Sequence, residues 1–592
     1  MARTKKAAQG KRKADGEAAA SKKSKKSKKQ HQHPAQAESH SSKAADGAAP
    51  QKHAPAASAK PRDDSPKDAA ARAAEATLSK LLGGLPLSEF LSEYFEKKPL
   101  HVRNDGSHQL FDKKLFSRKR LLKKVLAKHE LAFSRDLAVC RYVDGERENY
   151  DGSESNGHAT SGAVGSLLDR SYSCQFFQPQ RYVDGLFALN SAFETVFGGL
   201  AGASAYLTPP NSQALAPHHD DVEVFILQVS GVSCSMVPLT WLELTRYMEQ
   251  TQGRKKWKLY KPLVELAGEY SADLSTDEIG EPWMELTLEE GDVLYFPRGV
   301  VHQAATDETQ FSTHVTISVY QHNSWANFLE VVLPRIVRAA FDSDVEFRRG
   351  LPVGYLNYLG TQFESDSDKA KAFEKILRKL LNKLSGSVTM EAVHAAADEA
   401  AMDVMANRLP PAQAATNSLL DKSVSPLDDD VAIRFRHRSH IRLCLGTNDD
   451  DKEPFVALYY STQNCRVHHM GLCTCGGDGD DKEDGHESEE SDEDGASNAN
   501  ESGNEDGDES GEDEEGDDMD LEAAAGGMPP VPKSVVFPGE LASSLLKLYA
   551  STVGDGATVE DLVQAGGDET AVRGMLLRLW SEGLLDVTPR SS

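Results

Sequence analysis

The sequence predicts a mainly β domain, an α-helical region behind it, and an α+β domain toward the C-terminal end. Three observations predict this. From about 137 to 320, short β-branched and aromatic runs alternate with Gly, Pro and Asp turns. From 324 to 408 the apolar period lengthens to that of helices. Beyond 536, three short helical patterns end in E-G-L-L-D-V. With 592 residues the chain is too long for one core, so two or three domains plus unstructured segments are expected.

Residues 1–75 are rich in Lys, Ala, Ser, His and Pro. They cannot bury enough apolar surface to offset the entropy of ordering, and they are expected to be a disordered basic tail. Residues 1–30 carry twelve Lys/Arg against two acids, and 22–29 read K-K-S-K-K-S-K-K. Such a run is a nuclear or nucleolar address, or a phosphate-binding arm. Order is expected from A-T-L-S-K-L-L-G-G-L onward. Leu87, Phe90, Leu91, Tyr94 and Phe95 then recur at helical spacing until Pro99.

The β domain takes residues 76–322. Its candidate strands include C-R-Y-V-D-G, C-Q-F-F-Q-P, A-Y-L-T-P-P, V-E-V-F-I-L-Q-V, W-K-L-Y, M-E-L-T-L, V-L-Y-F-P-R-G and T-H-V-T-I-S-V-Y. Many short strands at even spacing argue for a barrel or a sandwich. The helical region takes 323–420, with W-A-N-F-L-E-V-V-L-P-R-I-V-R-A-A-F and K-A-F-E-K-I-L-R-K-L-L-N-K-L. Their continuous apolar stripes must pack on something, either the barrel or a partner subunit.

The last part, 421–590, opens with short strands over about 431–471 and closes with three short helices that resemble a winged helix. Between them lies an acidic Gly/Asp/Glu/Ser segment, 476–531, expected to be a disordered loop that engages basic proteins or screens its neighbours. Residues 478–522 hold twenty-four Asp/Glu against one Lys, so this stretch supplies most of the net charge of −26. The acidic pI therefore describes the segment and not the fold. His468, His469, Cys473 and Cys475 offer zinc-type donors, but the C-x-C spacing crowds four ligands into one turn. The seven cysteines are odd in number and scattered, and no apolar leader precedes them, which suits a reducing compartment. No membrane span is expected, since no window of about 18 apolar residues exists.

The chemistry concentrates in A-P-H-H-D-D-V-E-V-F-I-L-Q, residues 216–228. In a strand, residues two apart face the same way, so His218 and Asp220 point to one side. A third ligand comes from E-G-D-V-L-Y-F-P-R-G-V-V-H-Q-A, where His302 follows a turn and an apolar strand. Two histidines and one carboxylate on one face are the ligand set of non-haem iron(II) oxygenases. An isolated H-x-D near a turn is more often a surface or capping pair. The later G-D-x-x-x-F-P-x-G-x-x-H string, in an all-β context, changes that balance.

These strings match the double-stranded β-helix pattern of JmjC and cupin-like oxygenases. Together with L-T-P-P-N-S-Q-A-L, R-K-K-W-K-L-Y and S-T-H-V-T-I-S-V-Y-Q, they resemble the ribosomal oxygenases. These are nucleolar JmjC proteins described as histidyl hydroxylases and histone lysine demethylases, and the likeness is to the nucleolar-protein-sixty-six branch. It covers roughly 80–590 apart from the acidic insert. The resemblance implies a JmjC barrel, a helical region that forms a homodimer, and a C-terminal winged helix. It implies Fe(II) and 2-oxoglutarate, and a ribosomal-protein or histone substrate. It implies that His218, Asp220 and His302 bind iron and that Lys255 pairs with the distal carboxylate of 2-oxoglutarate. It implies substrate contacts from Tyr206, Ser204 and Ser318. A winged helix also raises the expectation of a nucleic-acid contact, although the acidic surroundings weaken it.

The sequence departs from the family at three places. Ser204 stands where the family has an asparagine, and Gln175 where relatives carry an arginine. His218 and Lys255 are 37 positions apart, longer than the family pattern by the stretch 231–252. That stretch begins in Gly-Val-Ser and ends in Thr-Gln, residues whose codons can hold splice signals. It is read as a retained intron or as a hairpin-loop extension, and transcript sequencing separates the two.

Overall fold

A computed structural model describes residues 69–590 except 107–108, 113, 144–145, 230–252, 413–423, 449, 451 and 472–530. The described residues belong to one compact unit, Arg62–Ser592. The tail 1–68, the stretch 231–252 and most of the acidic segment therefore lie outside the described residues, as do Cys473 and Cys475.

Order starts earlier than expected. A helix spans Ala69–Leu81, and its first seven residues fall in the stretch assigned to the tail. Its alanines favour helix, and Ala74, Leu78 and Leu81 are buried. It packs on a second unexpected helix, Asp184–Phe197. That helix and Ser161–Asp169 interrupt the expected run of strands. Leu186, Phe187, Leu189, Asn190 and Phe193 are its buried face, a helical spacing that the strand reading overlooked. Helix Leu87–Glu93 ends well before Pro99: Tyr94 leaves helical geometry at φ −121°, and Glu96 follows in the left-handed region. Its Phe90 is fully buried and sits edge-on to Tyr295, 4.8 Å between ring centres.

Among the described residues, eleven strands build the β domain: β1 Leu100–Val102, β2 Leu137–Val143, β3 Glu146–Asn149, β4 Ser173–Phe177, β5 Ala201–Thr208, β6 Glu223–Val229, β7 Lys255–Leu259, β8 Met284–Leu288, β9 Val293–Phe296, β10 His302–Ala305 and β11 Ser312–Val319. The larger sheet has the order β1-β9-β6-β11-β5-β4-β2-β3, and the smaller one β10-β7-β8. All residues of β6 are buried, as a strand covered on both faces requires. Phe225, Leu227 and Val229 join the core under the helices. Val224 and Ile226 point the other way and meet Trp257, Leu259 and Phe296. The functional cavity opens within that second layer.

Three long helices follow: Trp325–Ser343, Asp368–Leu384 and Met390–Asn407. The first starts at a capping box between Ser324 and Asn327. Its Val332, Ile336 and Ala340 are buried together with Leu384 and Ala396.

The C-terminal part combines β12 Val431–Phe435, β13 Ile441–Thr447, β14 Pro454–Tyr460, β15 Lys533–Pro538 and β16 Leu585–Pro589 with helices Ala542–Ser551, Val559–Gln564 and Glu569–Ser581. One apolar core serves all of them. β14 pairs with β15, so the acidic segment joins two neighbouring strands. Residues 466–471, expected near the end of a strand region, form a 3-10 turn instead. Within it His469 is buried, with Nδ1 2.9 Å from Gln180 Nε2 and Nε2 2.8 Å from Glu194 Oε1. Both ring nitrogens are engaged, so the zinc reading of His469 fails on geometry. The side chain instead fastens the C-terminal part to the barrel.

Candidate metal centre

His218 and Asp220 do not lie in a strand. They sit in irregular backbone ahead of β6, and only a two-residue bridge pairs His218 with His302. The alternation argument for their common face therefore does not apply. The bridge replaces it: the His218 N–H donates to the His302 carbonyl at 3.2 Å, and the His302 N–H returns the bond at 2.8 Å. Ligand atoms of His218, Asp220 and His302 lie within 4.8 Å of one another.

The orientation of each ring follows from its second nitrogen. His218 Nδ1 lies 2.8 Å from the Ala216 carbonyl, and His302 Nδ1 lies 3.1 Å from the Val300 carbonyl. A carbonyl only accepts, so each Nδ1 carries the hydrogen and each Nε2 presents a lone pair. Both Nε2 atoms face Asp220, at 3.7 Å from Oδ1 and 3.7 Å from Oδ2 respectively. These gaps are too long for hydrogen bonds and suit groups that share a third partner. Burial and the neighbouring His218 hold the His302 imidazole well below its usual pKa, so it is neutral. Burial pushes the Asp220 carboxyl above the usual carboxylate range, against the pull of His218 and His219. A divalent cation would relieve that penalty.

The F-P-R-G turn explains itself here. Gly299 has φ +83°, and a Cβ would fall 2.4 Å from the Val264 carbonyl oxygen. Its N–H donates to the Asp220 carbonyl at 3.0 Å. Beside it Arg298 bridges two carboxylates, Glu223 at 2.9 Å and Glu96 at 3.0 Å.

A cavity extends from the triad, between the two sheets. Val224, Ile226, Trp257 and Ala304 give it apolar walls. Lys255 also lines it, on β7, where Lys255, Trp257 and Leu259 are buried and Lys256 and Lys258 exposed. Lys255 Nζ donates to Thr208 Oγ1 at 3.1 Å, and burial draws the ammonium down to about 7. Trp257 Nε1 and His314 Nδ1 are buried with no partner among the described residues. A polar ligand with a carboxylate end fits this set.

Tyr206 lines the same cavity, stacks flat on His314 at 4.7 Å, and accepts a hydrogen bond from Gln175 Nε2 at 2.9 Å. Ser204 and Ser318 share the cavity-facing sides of β5 and β11, yet neither belongs to the lining. Ser204 instead meets the Tyr206 side chain. Thr208 and His314 escaped the sequence reading. Period two was the available signal, since Thr208 follows Tyr206 by two and His314 precedes Thr316 and Ser318 by two and four.

Two facing sheets with a His-Asp-His triad between them define a JmjC-type centre, and the JmjC domain family model matches residues 175–234 and 243–328. The stretch it passes over lies inside 231–252. Ribosomal oxygenase 1 of Homo sapiens is 32% identical over 407 residues, 67% of this chain and 59% of that protein. The protein of Culex quinquefasciatus called bifunctional lysine-specific demethylase and histidyl-hydroxylase NO66 is 33% identical over 402 residues, 65% of this chain and 56% of that one. Ribosomal oxygenase 2 of Bos taurus is 34% identical over 389 residues, 64% of this chain and 76% of that protein. The chain belongs to the ribosomal oxygenase family. Its match spans less than two thirds of the first two relatives.

Proposed function

We propose that the protein is a 2-oxoglutarate-dependent protein oxygenase that hydroxylates a histidine of a large-subunit ribosomal protein. One observation carries this reading: three ligand-type side chains converge at one end of a cavity in which Lys255 is also buried. In this reading His218, Asp220 and His302 hold Fe(II) and leave adjacent positions open. With 2-oxoglutarate and dioxygen, the iron supplies oxidation of a C–H bond, one oxygen atom entering the substrate and the other entering succinate.

The chain's residues have separate tasks. Lys255 and Thr208 receive the distal carboxylate of 2-oxoglutarate. Val224, Ile226 and Trp257 keep water from the reacting end. Tyr206, held by Gln175, faces the substrate side, with Ser204 and Ser318 on the same sheet face. Holding one C–H bond close to the metal is the protein's main contribution.

The remaining expectations belong to the same reading. The helical region is read as a homodimer interface, and the C-terminal part as a winged helix. The basic run 22–29 suits the nucleus and nucleolus. None of the described helices is long and apolar enough to cross a membrane.

The deciding assay mixes the purified chain, Fe(II) and 2-oxoglutarate with histidine-bearing peptides of large-subunit ribosomal proteins. The expected result is a mass gain of one oxygen and an equal yield of succinate. No substrate-dependent succinate with any peptide sinks the reading. Loss of a methylene from a methyl-lysine histone H3 peptide would assign demethylation in its place.

A further inference from the structure

The metal site makes no use of the most basic stretch of the described structure. Residues 114–129 hold seven Lys/Arg and no Asp/Glu, in a chain whose net charge is −26. The segment is a short helix, Arg118–Arg120 running on into Leu121–Val125, with flanking turns. Phe116, Leu121 and Val125 are at most 2% exposed and fix it to the barrel core. Lys114, Arg120, Lys123, Lys124 and Lys128 all stand exposed to solvent.

The charged ends of these five make no ion pair or hydrogen bond with another described residue, although the Lys114 main-chain N–H donates to Asp112 Oδ1 at 2.9 Å. Arg118, by contrast, is engaged by Asp169 at 2.6 Å and lies over the Phe311 ring. Arg120, Lys123 and Lys124 fall within five consecutive residues, so like charges are concentrated along the segment. The His129 imidazole records the local field: burial and then the Lys128 charge hold it below its usual pKa. Uncompensated like charges on a rigid scaffold weaken the fold and create a field matched to a polyanion.

We propose that this face binds the phosphodiester backbone of RNA. The choice of RNA rests on the reading above, because RNA is the polyanion that surrounds a ribosomal-protein substrate. The exposed groups are charges without aromatic planes, so the contact is to phosphate and independent of sequence. The function is docking. It holds the enzyme against the particle while the cavity takes one side chain.

The test uses the full chain and a labelled, mixed-sequence single-stranded RNA of about 20 nucleotides, titrated by anisotropy over a range of salt. The variant is Arg120→Gln/Lys123→Gln/Lys124→Gln. Losing three phosphate contacts should make the log–log salt slope shallower by about 2 and weaken binding by about tenfold or more. A second variant, Lys114→Gln/Lys128→Gln, should reduce the slope by about 1.4. The basic tail 1–30 is identical in all three proteins, so the differences isolate the patch. Turnover of a free peptide should be unchanged, since none of these residues lines the cavity. Failure of that turnover in every protein counts against the oxygenase reading and leaves the RNA result standing. Unchanged RNA affinity and slope in both variants overturn the proposal, because the tail then carries all binding. Tighter RNA binding by a variant also overturns it, as expected if the acidic residues 478–522 occupy the patch. Patch-dependent binding that favours duplex DNA of equal length overturns the choice of RNA.

Discussion

The imidazole rings of His218 and His302 stand 4.3 Å apart, centre to centre, on backbones that exchange hydrogen bonds in both directions. Main chain, not side-chain packing, therefore sets the distance between the two nitrogen ligands. Removing one imidazole should leave the other in place and the barrel folded. His218→Ala, Asp220→Ala and His302→Ala are each expected to lower Mn(II) affinity by more than about 100-fold, beyond the cost of losing an outer partner. Calorimetric titration reads this, with the melting temperature as the folding control. Metal affinity that survives in all three variants would remove the triad from consideration.

Lys255 gives a pH dependence with a definite sign. Its folded pKa is drawn down to about 7, far below the unfolded value of roughly 10.4. Between those values the unfolded chain binds more protons, so stability rises with pH from about 7 upward. Below 7 the full burial penalty applies. Lys255→Met should stabilise the fold at pH 6 by about 1–3 kcal/mol, and not at pH 10. The same substitution should abolish 2-oxoglutarate binding, measured by displacement of a fluorescent competitor. In the parent protein that binding should weaken as pH climbs above 7, because the cation is lost. A Lys255→Met protein that binds 2-oxoglutarate normally contradicts the assignment.

Much of this site was legible, and for identifiable reasons. Period-two patterning marked the barrel strands, and H-x-D with a later F-P-R-G-V-V-H marked the ligands. The inference about His218 and Asp220 reached the right neighbourhood by an argument that does not hold, because their backbone is irregular. Helix Ala69–Leu81 was hidden because alanine gives no amphipathic contrast, and only its packing on Asp184–Phe197 makes it visible. Thr208 and His314 were hidden because Thr and His are ordinary strand residues until two sheets enclose them. Ser204 and Ser318 share the faces of Tyr206 and His314, and period two alone placed them there.

The Glu223–Arg298 pair is buried, so removing one partner leaves a charge that water cannot solvate. Glu223 is fully buried, and burial raises its pKa despite bonds from Tyr295 and Arg298. Arg298→Ala would strand that carboxylate and should cost about 3–5 kcal/mol. Because the folded pKa is raised, the loss should shrink as pH falls and the carboxyl takes up a proton. Adding Glu223→Gln should recover part of the stability. Urea unfolding at pH 7 and pH 5 gives the comparison, and equal losses at both would show that the charge is not the cause.

The Gln175–Tyr206 hydrogen bond separates substrate positioning from cosubstrate binding. Tyr206→Phe keeps the ring stacked on His314 and removes only the hydroxyl. It should lower kcat/KM for the peptide by about ten- to a hundredfold, the worth of one or two hydrogen bonds to a positioned group. The 2-oxoglutarate KM should stay within about twofold. If both constants move together, Tyr206 acts on the cosubstrate and not on the peptide.

Helix Trp325–Ser343 presents two apolar stripes one residue apart. Val332, Ile336 and Ala340 are buried within the chain, whereas Leu329, Leu333, Val337 and Phe341 are each between 42% and 45% exposed. Ile376, Leu377 and Leu381 of the following helix are exposed as well. A contiguous apolar face of this kind is rare on a monomer and fits a second copy of the same helix pair. Leu333→Glu/Val337→Glu places two charges at its centre and leaves the inner stripe untouched. Sedimentation should then show a monomer in place of a dimer, with an unchanged helical signal by circular dichroism. Metal affinity should also be unchanged, since the triad belongs to one chain. A parent protein that sediments as a monomer at micromolar concentration would leave this face without its proposed partner.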